Sequence, residues 1–281
     1  MQLTKDKLNV VEYFCEGKKG DLDLCEDMCI VTDNFAAVID GATNVSGKLI
    51  ENMTPGRLAA TIIKETLENI TPNAKLETIV EQINANFQTV FARNNLIDAI
   101  QESQWVAPSA SVIIYSKYHQ KIWQIGDCQL MVDDELYTNE KEIDSITANA
   151  RALYLEAELK RGKTIDQLID KDTGWEYIRT LVQQQYFLQN DSNNPFGYSV
   201  INGFPVDFSR VMTIDVSNDA KYIVLASDGY PFLKETLYKS ELLLKELLVK
   251  DPLCFRLYKS SKGLVRGNQS FDDRLYLKIK V

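Results

Sequence analysis

The stretch Tyr222-Ile223-Val224-Leu225-Ala226-Ser227-Asp228-Gly229 carries an apolar run straight into an acid and a glycine. A short apolar run closed by a turn signal reads as a buried strand, so Asp228 is expected at a strand end. That position is costly for a lone carboxylate, because a desolvated charge needs a counter-charge or a cation. The glycine beside it lets the backbone turn sharply and brings its own carbonyl close to whatever the acid binds.

The same pattern recurs. Phe35-Ala36-Ala37-Val38-Ile39 leads into Asp40-Gly41, and Ile125-Gly126 leads into Asp127 between two strand-like runs. Asp272-Asp273 stands directly before the run Arg274–Val281, and Glu26-Asp27 opens the strand that precedes Asp40. A single Asp-Gly pair is most often only a turn. Taken together, these acids are expected to meet at one sheet end, and an all-oxygen ligand set suits Mg2+ or Mn2+ better than zinc or copper.

Further strands are expected near Val10–Phe14, Met28–Thr32, Ser111–Tyr115, Lys121–Ile125, Gln129–Val132 and Val211–Asp215. Thr54-Pro55 caps and starts a helix that carries Leu58, Ile62, Ile63 and Leu67 on one face. A second helix is expected from about Leu76 to Ile100, with others over Asp144–Arg161, Gly174–Gln189 and Ser240–Lys250. Strands and helices do not alternate strictly, which argues against a doubly wound parallel sheet. The expected class is α+β, with helices packed outside antiparallel sheets. One domain is expected over 1–281, interrupted by a helical and loop insertion at about 138–208.

Composition narrows the chemistry. The chain has 281 residues, 45% of them apolar and 25% charged, as expected of a globular protein with a real core. It carries 40 Asp and Glu against 31 Lys and Arg, a net charge of -9, and one histidine. The acidic balance argues against a sequence-independent grip on nucleic acid. A single histidine rules out a His-rich zinc site and leaves Ser-His or Cys-His catalysis resting on His119 alone, in a polar turn. The opening MQLTKDKLNVVEYF does not read as a signal peptide, and no apolar run is long enough for a bilayer. The cysteines Cys15, Cys25, Cys29, Cys128 and Cys254 contain no CxxC pair. Reduced, mostly buried thiols in a cytoplasmic protein are expected.

In this order the motifs resemble the metal-dependent protein phosphatase 2C (PPM) family. Glu26-Asp27 with Ala37-Val38-Ile39-Asp40-Gly41 is similar to its "ED … AVxDG", and Ser109-Ala110-Ser111 with Gln124-Ile125-Gly126-Asp127 to its "GSTA … xxGDS". Ile223–Gly229 matches "hhLASDG", and Asp272-Asp273-Arg274 resembles the family's last strand entry. The resemblance spans nearly the whole chain. It implies a four-layer αββα sandwich, two antiparallel sheets flanked by helices, with a metal cleft at one end. It further implies two Mg2+ or Mn2+ ions with room for a weaker third, and hydrolysis of phosphoserine or phosphothreonine by a metal-bridging water. Asp40, Asp228 and Asp272 would carry catalysis through that water. Asp40, Gly41, Asp228, Asp272, Glu26, Asp27 and Asp127 form the implied metal set, with Asp273 as a neighbour. The implied partner is a phosphorylated protein or small phosphomonoester, with neither nucleic acid nor membrane.

Several positions depart from the family pattern. Ala42 stands where many members carry a histidine, Gln129 replaces an arginine, and Ser227-Asp228-Gly229-Tyr230-Pro231-Phe232 lacks the second acid. The phosphate-binding arginine expected before Glu26 is absent, leaving Lys18, Lys19 or Arg57 as substitutes. A catalytically weak regulatory or binding module on the same fold is the alternative. An aspartyl nucleophile of the haloacid dehalogenase type at Asp40 would need a second acid at the position of Ala42.

Overall fold

A computed structural model describes residues 8–281. The reading of the chain start therefore falls partly on residues 1–7, outside the described residues. One sheet has the order β1 (Asn9–Glu16), β10 (Arg274–Lys280), β9 (Tyr222–Ala226), β6 (Gln129–Val132) and β7 (Glu135–Tyr137). The other has the order β2 (Asp27–Val31), β3 (Phe35–Gly41), β4 (Ala110–Ser116), β5 (Lys121–Ile125) and β8 (Met212–Asp215). Every strand pairing within both sheets is antiparallel.

The runs Phe35–Ile39 of β3 and Ile223–Ala226 of β9 are apolar throughout because both faces of these central strands are covered. Along β3, Ala36 and Val38 pack between the sheets with Ile113, Ile122, Leu225 and Leu277. Ala37 and Ile39 point the other way, against Leu58, Ile63, Ile79 and Phe87. These belong to α1 (Pro55–Asn69) and α2 (Leu76–Arg93), which form one outer layer. On the opposite outer face, Met131, Val224 and Tyr276 pack with Tyr230, Leu233 and Leu237, the last at the start of α7 (Leu237–Lys250). The layering is helix, sheet, sheet, helix, as the motifs imply.

The Thr54 side chain accepts a hydrogen bond from Arg57 N at 3.3 Å, capping α1 as expected. The long helix expected over 76–100 is broken. Asn95 adopts φ 52 and α3 (Ile97–Glu102) follows as a separate turn. Asparagine tolerates that left-handed geometry, so consecutive asparagines end the helix despite continuing apolar periodicity. Between β7 and β8 lie α4 (Glu142–Lys160), α5 (Ile165–Asp170) and α6 (Thr173–Gln185). Ile178, Val182 and Tyr186 pack on Val45 beyond the end of β3, while Ala152, Leu155 and Leu168 pack on Leu253 and Phe255. This helical segment thus stands over one end of the sandwich. Among the described residues, no helix is long and apolar enough to cross a membrane.

Candidate active site

Register alone joins the first acids. Asp27 on β2 pairs directly with Asp40 on β3, two positions beyond the Cys29–Val38 pair that faces the inter-sheet core. Directly paired residues share a face, so both carboxylates sit at the open end of the space between the sheets. The second sheet delivers Asp228, whose backbone N lies 3.5 Å from Asp40 Oδ2. Its position is fixed by Ser227, which donates from its N to Leu275 O (3.1 Å) and accepts from Leu275 N on its hydroxyl (2.9 Å). Asp127 occupies the turn between β5 and β6, and Asp272 and Asp273 precede β10. All the acids singled out in the sequence come to this end.

Glycines permit the close approach. A Cβ at Gly41 would lie 2.4 Å from Gly56 O and 2.7 Å from Glu26 O. Gly126 has φ +91 and fits tightly against Ser111. Gly41→Ala is expected to push β3 from the start of α1 and to cost about 1–3 kcal/mol, as overpacking does. Thermal unfolding of the purified variant checks this, and an unchanged Tm would contradict it.

The acids divide into two groups. Asp127 is satisfied: its Oδ1 accepts from the Ser111 hydroxyl at 2.5 Å, and its Oδ2 lies 2.6 Å from Lys141 Nζ. Asp272 is also satisfied, by Lys262 Nζ on Oδ2 and by Lys18 Nζ (3.3 Å) and Asp273 N (2.9 Å) on Oδ1. Burial pushes both carboxyls upward, but the adjacent ammonium groups prevail and hold them below the usual range. Asp273 is structural, accepting from the backbone N of Lys18 at 2.8 Å and of Glu26 at 3.0 Å.

The other group is under-compensated. Burial and then the Asp228 charge drive Asp40 well above the carboxylate range. Burial, followed by Asp127 and Asp272, raises Asp228 to about 7. Burial also raises Glu26 to about 7, against the pull of Lys18, and raises Asp27. Glu26 Oε1 and Asp27 Oδ2 are buried without a hydrogen-bond partner.

The fit to a hard divalent cation is therefore local. The clustered carboxylate oxygens of Asp40, Asp228, Asp27 and Glu26, two of them orphaned, have the right donor chemistry. Asp272 fits less well, because the Lys18 and Lys262 ammonium groups already offset its charge. Among the described residues, no three acidic, cysteine or histidine side chains already surround one point as metal ligands.

Part of this acid cluster opens into a cleft of about 500 Å³, within the roughly 300–1,000 Å³ of small-molecule sites. Asp40, Asp228, Asp272 and Asp127 line it, along with Lys141, Lys262, Tyr198 and Trp175. Of the cations weighed for phosphate binding, only Lys18 reaches the acids. Arg57 instead donates to Leu22 O (2.8 Å) and Cys25 O (2.6 Å), and Lys19 is exposed. Lys141 and Lys262 carry no motif and escape sequence reading. The Asn193–Tyr198 loop does border the cleft, through Tyr198, whose ring lies 5.0 Å from Lys141 Nζ. His119 is remote from these acids, lying half-buried near Ala74 O (3.1 Å) and against Trp123.

No protein-family profile and no curated protein matches the chain. Solved structures of bacterial serine/threonine phosphatases are among those it is similar to. The chain is similar to Stp1 from Staphylococcus aureus at 12% identity, covering 100% of this chain and 99% of that one, with a TM-score of 0.45. It is similar to PstP/Ppp from Mycobacterium tuberculosis at 14% identity, over 97% and 99%, with a TM-score of 0.44. The catalytic domain of PstP in complex with 2 manganese ions gives 14%, 97% and 99%, and 0.47. Likeness at this level assigns no residue a role, so the chemistry is argued from the side chains.

Proposed function

We propose that this chain is a divergent protein phosphatase 2C-type enzyme, a metal-dependent phosphomonoesterase acting on phosphoserine or phosphothreonine. The observation that carries the reading is the convergence of Glu26, Asp27, Asp40 and Asp228 from both sheets, with more buried negative charge than the protein itself offsets. Asp40, Asp228, Asp27 and Glu26 are the residues that would hold Mg2+ or Mn2+, with the Gly41 carbonyl beside them. A divalent ion in such a site supplies an activated water and offsets phosphate charge.

The chain's own groups do the rest. Glycine contacts and the Ser227 hydrogen bonds fix the carboxylates before substrate arrives, which is what orientation-dependent catalysis requires. Lys141 and Lys262 line the cleft at its otherwise acidic floor, where they can bind the oxygens of an incoming phosphate. The reading includes one phosphatase domain over 1–281 with the 138–208 segment inserted over the cleft. It also includes a cytoplasmic setting, supported by five cysteines that form no disulfide.

Manganese-dependent hydrolysis of p-nitrophenyl phosphate tests the proposal. Asp228→Ala is expected to lower kcat/KM on the order of a thousandfold, the loss of several kcal/mol of charge stabilisation. The lysines seated on Asp127 and Asp272 favour one second reading, a catalytically weak binding module. No metal-dependent turnover by the parent protein, despite bound metal, would decide for that alternative.

A further inference from the structure

Lys262 is placed by architecture, not by chance of a long side chain. It belongs to the loop between α7 and β10. Arg151 of α4, fully buried, donates through Nη1 to Leu253 O (2.8 Å) and Ser260 O (3.0 Å) of that loop. The Asp251 carboxylate accepts from the backbone N of Phe255, Arg256 and Leu257. Lys262 N itself donates to the Ser260 hydroxyl at 3.2 Å. The next residue is locked too, since a Cβ on Gly263 would lie 2.5 Å from the Arg151 guanidinium and 2.6 Å from Leu253 O. The ammonium this framework delivers is bonded to Asp272, whose second oxygen is taken by Lys18.

Asp272 Oδ1 already accepts from Lys18 Nζ and Asp273 N, and its Oδ2 keeps its remaining lone pair beside the Lys262 ammonium. A divalent ion brought to that oxygen would sit beside a fixed ammonium, whose like charge repels it. Glu26 and Asp27, both buried, each keep one orphaned oxygen, with Lys18 3.8 Å from the other Glu26 oxygen, and among the described residues no lysine or arginine pairs with Asp40 or Asp228. The protein has therefore supplied its own cations at Asp272 and left Asp40 and Asp228 to an external one. We infer that Lys262 is a built-in cation that takes the place of one divalent ion at Asp272, so that this site binds a single metal, at Asp40 and Asp228. The inference rests on the metal-dependent reading above and narrows it from two ions to one.

The test is the number of Mn2+ ions held per chain, measured by calorimetric titration and by metal analysis after gel filtration. The parent protein is expected to hold one ion and Lys262→Met two. Electron paramagnetic resonance gives an independent readout, an isolated Mn2+ spectrum in the parent and an exchange-coupled pair in the variant. Lys262→Gln serves the same purpose if the methionine variant does not fold. Two ions in the parent would overturn the inference and leave the phosphatase reading standing. One ion in both proteins would show that Lys262 is not what limits the site, and would also overturn it. No ion in the parent would overturn the inference and the metal-dependent reading together.

Discussion

Arg151→Met is expected to lower the free energy of unfolding by about 3–5 kcal/mol, the range for removing one partner of a buried ion pair. Arg151 is 0% exposed, yet its guanidinium is fully engaged. Nε and Nη2 both reach Asp172 Oδ2, at 3.0 and 2.6 Å, while Nη1 serves the carbonyls of Leu253, Cys254 and Ser260. Methionine fills similar volume, so the expected cost comes less from a cavity than from the stranded Asp172 carboxylate and three carbonyls. Asp172 Oδ1 also accepts from Trp175 N at 2.8 Å, capping α6. The damage should therefore reach the helical segment and the Lys262 loop together. Urea denaturation followed by far-UV circular dichroism measures it. A loss under about 1 kcal/mol would mean that water or a rearranged loop satisfies those groups, and that Arg151 does not hold the Lys262 loop in place.

Much of this was legible in the sequence because apolar runs ending in Asp-Gly report both strand position and strand end. The nine expected strands are all present, and the acids they terminate share one end of the sandwich. What the sequence hid was tertiary. Lys262 sits in a loop with no periodicity, and its partner Asp272 is ten residues away with no motif linking them. Arg151 lies on a helix whose other residues are ordinary, and its carbonyl partners are about a hundred positions on. The strand Glu135–Tyr137 is too short to give a pattern. The helix Ile165–Asp170 was readable in principle, since Thr164 and Gln167 form a capping box. The missing break at Asn95 shows the opposite weakness, apolar spacing that outlasts the helix it implies.

In chelator, the protein is expected to be more stable at pH 5 than at pH 7.5. Asp228 and Glu26, each raised to about 7, bind protons in the folded state at pH values where an unfolded carboxyl, ionising near 4, has already lost them. Asp40 and Asp27 are shifted in the same direction. Folding then takes up protons between about pH 4 and 7, and stability falls as pH rises through that window. With two protons involved the slope is on the order of 2 kcal/mol per pH unit. Asp127 and Asp272 work oppositely, but only below their ordinary range, because their lysine-held carboxylates contribute stability that is lost toward acid. The expected optimum without metal thus lies near pH 4 to 5.5. Mn2+ at pH 7.5 should reverse the loss, since a cation bound only by the folded state stabilises it by about 2.7 kcal/mol at a hundred times its Kd. Asp40→Asn separates the causes: it should raise Tm in chelator at pH 7.5 by removing an acid that folding must either protonate or bury charged, and abolish the gain from Mn2+. A Tm that is flat from pH 5 to 7.5 in chelator would show that Lys18, Lys141 and Lys262 already balance the cluster, leaving no charge for a metal to offset.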